Sequence, residues 1–236
     1  FMKRFFIKVV KYFLLFYPRY INLKEFSNQN SDFLNERPVE FEFVFKSLSK
    51  IYPQTILDVG TGMTALPHVM RNCGFIVTAT DNIKDYWPTG MFNRHYHVVN
   101  DDITNTKLDK TFDLITCVSV LEHIEDADSA IKNMFNLLNP KGYIVLTCPY
   151  NENSYSENIY DRESSLSGQN APYVCQAFSR EKLNNWLDIN DGIVVEQEYW
   201  RFYEGEYWTE GGDVIPPQQS KKDHPHQITC ILLQKK

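Results

Sequence analysis

Residues 55–70 read TILDVGTGMTALPHVM. A short apolar run, TILDV, ends in a glycine-rich turn and leads into a segment with helical spacing. Gly60, Gly62 and Ala65 fit G-x-G-x-x-G/A, the pattern in which a strand hands over to a helix beside a bound cofactor. Asp58 sets this turn apart. A pyrophosphate seeks backbone N–H groups and a helix N-terminus. A carboxylate two residues before the first glycine repels that charge unless it turns away. A positively charged ligand is favoured by the same carboxylate.

The strand-then-turn pattern recurs downstream. FIVTATD, from Phe75, reads as a second strand ending at Asp81, and HYHVVNDDI, from His95, as a third with an acidic tip at Asp102. FDLITCVSV, from Phe112, is the fourth and GYIVLTCPY the fifth, with a helix over residues 126–138 and a turn at Asn139, Pro140 and Gly142 between them. GIVVEQEYWRFY, from Gly192, and QITCILLQK, from Gln227, are the sixth and seventh. Strands alternating with helices predict an α/β fold, a Rossmann-like doubly wound sheet with helices on both faces. Right-handed crossovers bring the C-terminal strand ends to one edge. The glycine turn, Asp81, Asp102 and Ser119 therefore share a site. The segment between the last two strands is too irregular for a crossover helix, so those strands pair as an antiparallel hairpin. The expected sheet is seven-stranded, mainly parallel, with an antiparallel last strand.

Bulk composition narrows the function. The chain has 236 residues, a net charge of −6 and 43% hydrophobic residues. That suits one domain with an extension: residues 1–50 as a helical extension, and 51–236 as a single domain with a loop at 150–177 and an insert at 203–226. A duplex-binding surface needs a basic excess, so nucleic acid is not the first partner. The five cysteines form no C-x-x-C pair. Cys117 and Cys148 sit in apolar runs and read as reduced core residues of a cytoplasmic protein.

The first segment, FMKRFFIKVVKYFLLFYPRY, carries Lys3, Arg4, Lys8, Lys11 and Arg19 and no acid. At helical spacing Phe5, Phe6, Val9, Phe13, Phe16 and Tyr17 share one broad face, and Arg4, Lys8 and Lys11 lie opposite. Pro18 is expected to end this helix, followed by a polar stretch over 22–40 and a mixed helical pattern over 41–48. Such a helix either docks on the core, lids the site or lies on an anionic membrane surface. It lacks the small-residue cleavage site of a signal peptide.

Five motifs in register, DVGTG, TATD, NDDI, FDLITCVSVLEHIED and LNPKGYIVLTCP, resemble the successive motifs of class I S-adenosylmethionine-dependent methyltransferases. The match covers about residues 55–149, and the order of later elements extends it to the C-terminus. The resemblance implies S-adenosylmethionine as cofactor and S-adenosylhomocysteine as product. It places Asp58, Gly60, Thr61 and Gly62 at the methionine end, Asp81 on the ribose hydroxyls and Asn82 beside the adenine. Asp102 would accept the adenine amine, with Ile103 beside the ring, and Ser119, Val120 and Leu121 would run under the methionine. Some relatives bind a divalent metal through E-x-x-E-H. Here Ser119 replaces the first acid, and no metal is expected.

Methyl transfer is an in-line displacement, so positioning carries much of it. An oxygen acceptor must also lose a proton, and His123 is the candidate base. Tyr150, Tyr155, Tyr160 and Arg162, in or beside the long polar loop, are candidate substrate contacts. The aromatic C-terminal insert loosely resembles small bacterial methyltransferases of sugars and glycans. The expected acceptor is accordingly an oxygen of a sugar, a nucleotide-linked sugar or a glycan-attached phosphate. A protein or RNA methyltransferase, a nicotinamide-dependent reductase and a non-catalytic S-adenosylmethionine-binding partner stand as alternatives.

Overall fold

The computed structural model describes residues 2–29, 35–62, 64–82 and 97–236. Helix α1 spans Met2–Gln29 and α2 spans Arg37–Ile51. Strands β1 (Thr55–Val59), β2 (Ile76–Asp81) and β3 (Val98–Asn100) follow, with the short helix α3 (Leu66–Asn72) between the first two. Then come β4 (Phe112–Val118), α4 (Ala127–Asn136), β5 (Leu138–Asn151), the two-residue β6 (Phe178–Ser179) and α5 (Arg180–Asn190). Strands β7 (Gly192–Tyr203), β8 (Asp213–Ser220) and β9 (Ile228–Lys235) complete the chain.

The sheet order is β3-β2-β1-β4-β5-β9-β7-β8, with β6 beside β5. Strands β1 to β5 pair in parallel, and β9 inserts antiparallel between β5 and β7. This is the expected doubly wound sheet with its antiparallel end. Two elements go beyond the expectation. β8 forms a hairpin with β7 inside the insert read as irregular, and β6 extends the sheet beside the long loop.

Side-chain alternation explains the two layers. On one face, Leu57, Ile115, Ile144 and Leu146 pack with α4 and α5. On the other, Ile56, Leu114 and Val145 pack with α2 and α3. A strand buried on both faces reads as a continuous apolar run, which is why TILDV and FDLITCV are legible in the sequence. Truncating one of these fully buried aliphatic side chains to alanine costs about 2–5 kcal/mol.

Local chemistry sets the helix ends. Asp126 accepts from the Ser129 N–H at 3.0 Å at the start of α4. Ser179 accepts from the Lys182 N–H at 3.3 Å at the start of α5, a side-chain oxygen satisfying an orphan donor of the first turn. Helix α2 begins with Pro38 in its first turn, where a missing N–H costs no intrahelical bond. Its buried face carries Val39, Phe43, Val44 and Leu48, but also Glu40.

Three expectations need correction. Pro18 does not end the first helix: α1 continues to Gln29, so residues 22–29 of the polar stretch are helical, as are residues 37–40 at the start of α2. Asn139, Pro140 and Gly142 do not form a free turn. They lie within β5, at a register shift between Phe112 and Leu114, with Lys141 at φ 63° taking up the bend. The docking alternative for the first helix also fails for residues 7–17, all of which are exposed. The expected start of strand three at His95 lies outside the described residues, as do the side chains of residues 2–6. Cys117, Cys148, Cys175 and Cys230 are free and buried, and Cys73 is free and exposed.

Candidate cofactor and acceptor site

The C-terminal edge of the parallel strands opens into two adjoining cavities of about 480 and 460 Å³. Both are lined by Gly60, Asp81, Val120, His123 and Ile124. The shared residues come from the turn after β1, the end of β2 and the segment after β4. Adjacent parallel strands bring them together, although up to 64 positions separate them in sequence.

The glycine turn is built to hold its shape. Gly60 has φ 67° and Gly62 φ 51°, a region that glycine enters without a Cβ penalty. A Cβ on Gly60 would collide with Val120 Cγ1. The Gly62 N–H donates to Asp81 Oδ2 at 2.8 Å, tying the turn to the end of β2. The Thr61 N–H donates to the Thr80 carbonyl at 3.0 Å.

Asp58 lies beneath this turn, 2% exposed, and accepts the Thr116 hydroxyl at 2.6 Å. Burial pushes its carboxyl up to about 6, and the Thr116 and Thr61 hydrogen bonds hold it back. It lines neither cavity. Thr61 is also buried and outside both linings, and so is Leu121.

The smaller cavity receives Asp81, Asn82, Asp101, Asp102 and Ile103. Asp102 caps the following turn by accepting from Thr104 N at 2.9 Å and Thr104 Oγ1 at 2.8 Å. The larger cavity receives Gly62, Ser119 and Glu122 from the strand edge, and Arg37 from α2. Tyr160, Cys175, Trp208 and Ile228 form much of its remaining wall.

His123 stands where the cavities meet. Its Nδ1 donates to the Val174 carbonyl at 2.7 Å, so the neutral ring keeps its basic lone pair on Nε2. Nε2 lies 3.9 Å from Glu122 Oε1, and the ring meets Tyr173 edge-on at 5.1 Å. Glu122 is 3% exposed, and its Oε2 is buried with no hydrogen-bond partner among the described residues. Burial pushes this carboxyl up to about 8, so it carries a proton at neutral pH.

Of the four substrate candidates read from sequence, only Tyr160 lines the cavity. Tyr150 is buried away from it, with its hydroxyl on Glu152 at 2.9 Å. Tyr155 donates to Gln176 at 2.6 Å. Arg162 is held by Glu210 at 2.7 Å and stacks on Tyr207 at 4.0 Å. These three are spent on fixing the long loop.

Helix α2 supplies residues that the sequence reading did not assign. Arg37 and Glu36 line the larger cavity. Glu40, fully buried, accepts from Arg37 at 2.6 Å, from Thr147 at 2.6 Å and from Ser119 at 2.5 Å. Burial raises its carboxyl, and the guanidinium opposes that shift. The Arg37–Glu40 spacing is visible in the sequence as an i,i+3 pair, but its destination depends on how α2 packs.

The donor set suits one kind of ligand. Asp81 and Asp102 offer carboxylate oxygens to hydrogen-bond donors, the glycine turn carries no side chain at Gly60 or Gly62, and a buried carboxylate such as Asp58 favours a cation. These residues fit S-adenosylmethionine better than a dinucleotide.

Comparison with known proteins agrees. The family described as "Methyltransferase domain" matches residues 29–196. A ubiquinone biosynthesis O-methyltransferase of Haemophilus ducreyi is 28% identical over 123 residues, covering 47% of this chain and 51% of that protein. The chain thus matches about half the length of such curated relatives. A methyltransferase structure from Archaeoglobus fulgidus superposes with a TM-score of 0.58 at 16% identity, covering 85% of this chain and 95% of that one. The 1,6-didemethyltoxoflavin-N1-methyltransferase of Burkholderia thailandensis, solved with S-adenosylhomocysteine, gives 0.57 at 13% identity, covering 95% and 89%. At these identities the structures show the fold alone.

Proposed function

The chain belongs to the S-adenosylmethionine-dependent methyltransferase family, and from that premise we propose that it transfers a methyl group from this cofactor to an oxygen of a small-molecule acceptor. The observation that carries the reading is His123 at the junction of two cavities, one edged by Asp81 and Asp102, the other walled by Tyr160 and Trp208. Asp81 would bind the ribose hydroxyls, Asp102 the adenine amine, and Gly60, Gly62 and Ser119 the methionine end. Asp58 would favour the positive charge from beneath the turn, and Thr61 would hold that turn in place. Asn82, Ile103 and Val120 would flank the nucleoside. Bound there, the cofactor supplies an electrophilic methyl group on a sulfonium.

The protein's own task is to place the acceptor oxygen and remove its proton. His123 Nε2 is the candidate base, with its tautomer fixed through Val174. Protonated Glu122 beside it would hydrogen-bond the acceptor or the ring. For the acceptor class we favour a sugar or nucleotide-linked sugar. Trp208, from the C-terminal insert, offers an aromatic platform at the cavity wall, and Arg37 and Glu122 offer polar partners. A glycan-attached phosphate has less support, because Arg162 is already paired with Glu210. The N-terminal extension, residues 1–50, would contribute to the same site through α2.

The test is calorimetric titration of S-adenosylmethionine, S-adenosylhomocysteine and NADH, with Asp81→Ala alongside. Micromolar binding of the sulfur ligands, lost in the variant, supports the reading. Binding of NADH alone overturns it. An acceptor screen with nucleotide sugars and simple phenols then separates the acceptor classes.

A further inference from the structure

Among the described residues none of helix α1 lines either cavity, and its surface is unusual. Residues 7–17 are all exposed, including Phe13 at 71%, Leu14 at 70% and Phe16 at 61%. Soluble surfaces rarely expose apolar side chains this densely without a partner. At 100° per residue, Val9, Val10, Phe13, Phe16 and Tyr20 fall on one face centred on Phe13. Lys8, Lys11 and Arg19 fall on the opposite side.

Charge is segregated as well. Residues 1–24 hold six of the chain's 24 Lys and Arg and none of its 30 Asp and Glu. The remainder is therefore strongly acidic. No helix among the described residues is long and apolar enough to cross a membrane. An apolar face flanked by cations on a non-spanning helix suits a surface that is apolar inside and anionic outside.

We propose that α1 is a membrane-surface helix that lies on an anionic lipid bilayer. The face centred on Phe13 would enter the acyl boundary, and Lys8, Lys11 and Arg19 would stay at the headgroups. The acidic remainder would be repelled by the same surface, which holds the catalytic domain off the lipid. A second copy of the chain is a poorer occupant: it would cover the apolar face but leave Lys8, Lys11 and Arg19, on the far side, without an anionic partner.

The test is sedimentation of the full chain with phosphatidylcholine vesicles, with and without phosphatidylglycerol, at low and high salt. The expected result is binding to the anionic vesicles at low salt, little binding to neutral ones, and weakening as salt rises. Lys8→Glu/Lys11→Glu should lower the partition coefficient by roughly thirtyfold or more. Phe13→Asp/Phe16→Asp should abolish binding. Both variants should bind S-adenosylmethionine unchanged, which separates this inference from the methyltransferase reading. Absence of binding to anionic vesicles at low salt overturns the proposal. So does binding unaffected by charge reversal, or a dimer in light scattering that Phe13→Asp/Phe16→Asp dissociates.

Discussion

Glu40 and Ser119 lie 79 residues apart, yet the Glu40 carboxylate accepts the Ser119 hydroxyl at 2.5 Å. Ser119 sits at φ 48°, just past the end of β4, a conformation that L residues adopt only with support. The Thr147 hydroxyl and Arg37 converge on the same carboxylate. Helix α2 therefore braces the segment that forms the shared wall of both cavities.

Removing that brace has a definite expected cost. Glu40→Ala leaves the Ser119 and Thr147 hydroxyls and Arg37 without their acceptor. Breaking a buried ionic cluster from one side costs about 3–5 kcal/mol, read as a drop in the urea midpoint. Glu40→Gln keeps an acceptor oxygen and should cost less stability, while S-adenosylmethionine affinity still falls by about tenfold. Unchanged stability and affinity in both variants would show that α2 does not support the site.

Asp58 predicts a pH dependence of cofactor binding. Its carboxyl titrates near 6 in the free protein because burial disfavours the charged form. A cationic ligand needs it ionised. Affinity should therefore be constant above about pH 7 and fall by up to roughly tenfold per pH unit below 6. Asp58→Asn should weaken binding at pH 7 and remove most of this slope. Calorimetry across pH 5 to 8 checks both, and a slope that persists in Asp58→Asn would assign the titration to another group.

The glycine turn gives a steric prediction. Gly60→Ala would push a methyl group into Val120 at a backbone angle that alanine resists. Because Val120 lines both cavities, relief by moving Val120 narrows the junction. Cofactor affinity should fall by at least roughly tenfold, against a stability loss of about 1–3 kcal/mol. Gly74 is the control, since a methyl group there would meet nothing within 4 Å. Gly74→Ala should leave affinity unchanged.

How much of this is legible in the sequence follows from what each residue depends on. The placement of Asp58, Gly60 and Asp81 at one edge can be read because they sit at strand ends, and strand ends share an edge in a parallel sheet. Ser119 and His123 follow from the same rule. Tyr150, Tyr155 and Arg162 fall outside the cavity lining, a placement that chemical type alone does not reveal. Their partners, Glu152, Gln176 and Glu210, sit in other segments, and pairing of that kind is decided by tertiary packing. Trp208 and Arg37 escape for the converse reason: each reaches the site from outside the strand-end rule, through the insert and through α2. The register shift at Asn139 to Gly142 is likewise invisible, since Pro and Gly signal a turn equally well inside a bulged strand.

Glu122 and His123 give the last prediction, in which stability and activity separate. The Glu122 carboxyl is ionised above about pH 4.5 in the unfolded chain, but folded it keeps its proton up to about pH 8. Between those values the folded state binds one more proton than the unfolded state. Stability must therefore fall as pH rises through that window, by about 1.4 kcal/mol per unit. Asp58 contributes a similar slope only up to about pH 6, and Glu40, also raised by burial, is present in wild type and Glu122→Gln alike, so the difference between the two from pH 6 to 8 reports Glu122. Glu122→Gln cannot ionise, so across that interval the wild type should lose roughly 3 kcal/mol more stability than the variant. His123→Ala should keep the wild-type stability slope. It should lower kcat by about 10²–10⁴-fold if its Nε2 removes the acceptor proton, with cofactor affinity little changed. A wild-type midpoint already flat from pH 6 to 8 would mean that the Glu122 Oε2 atom has a partner in solution, and its role beside His123 would need another explanation.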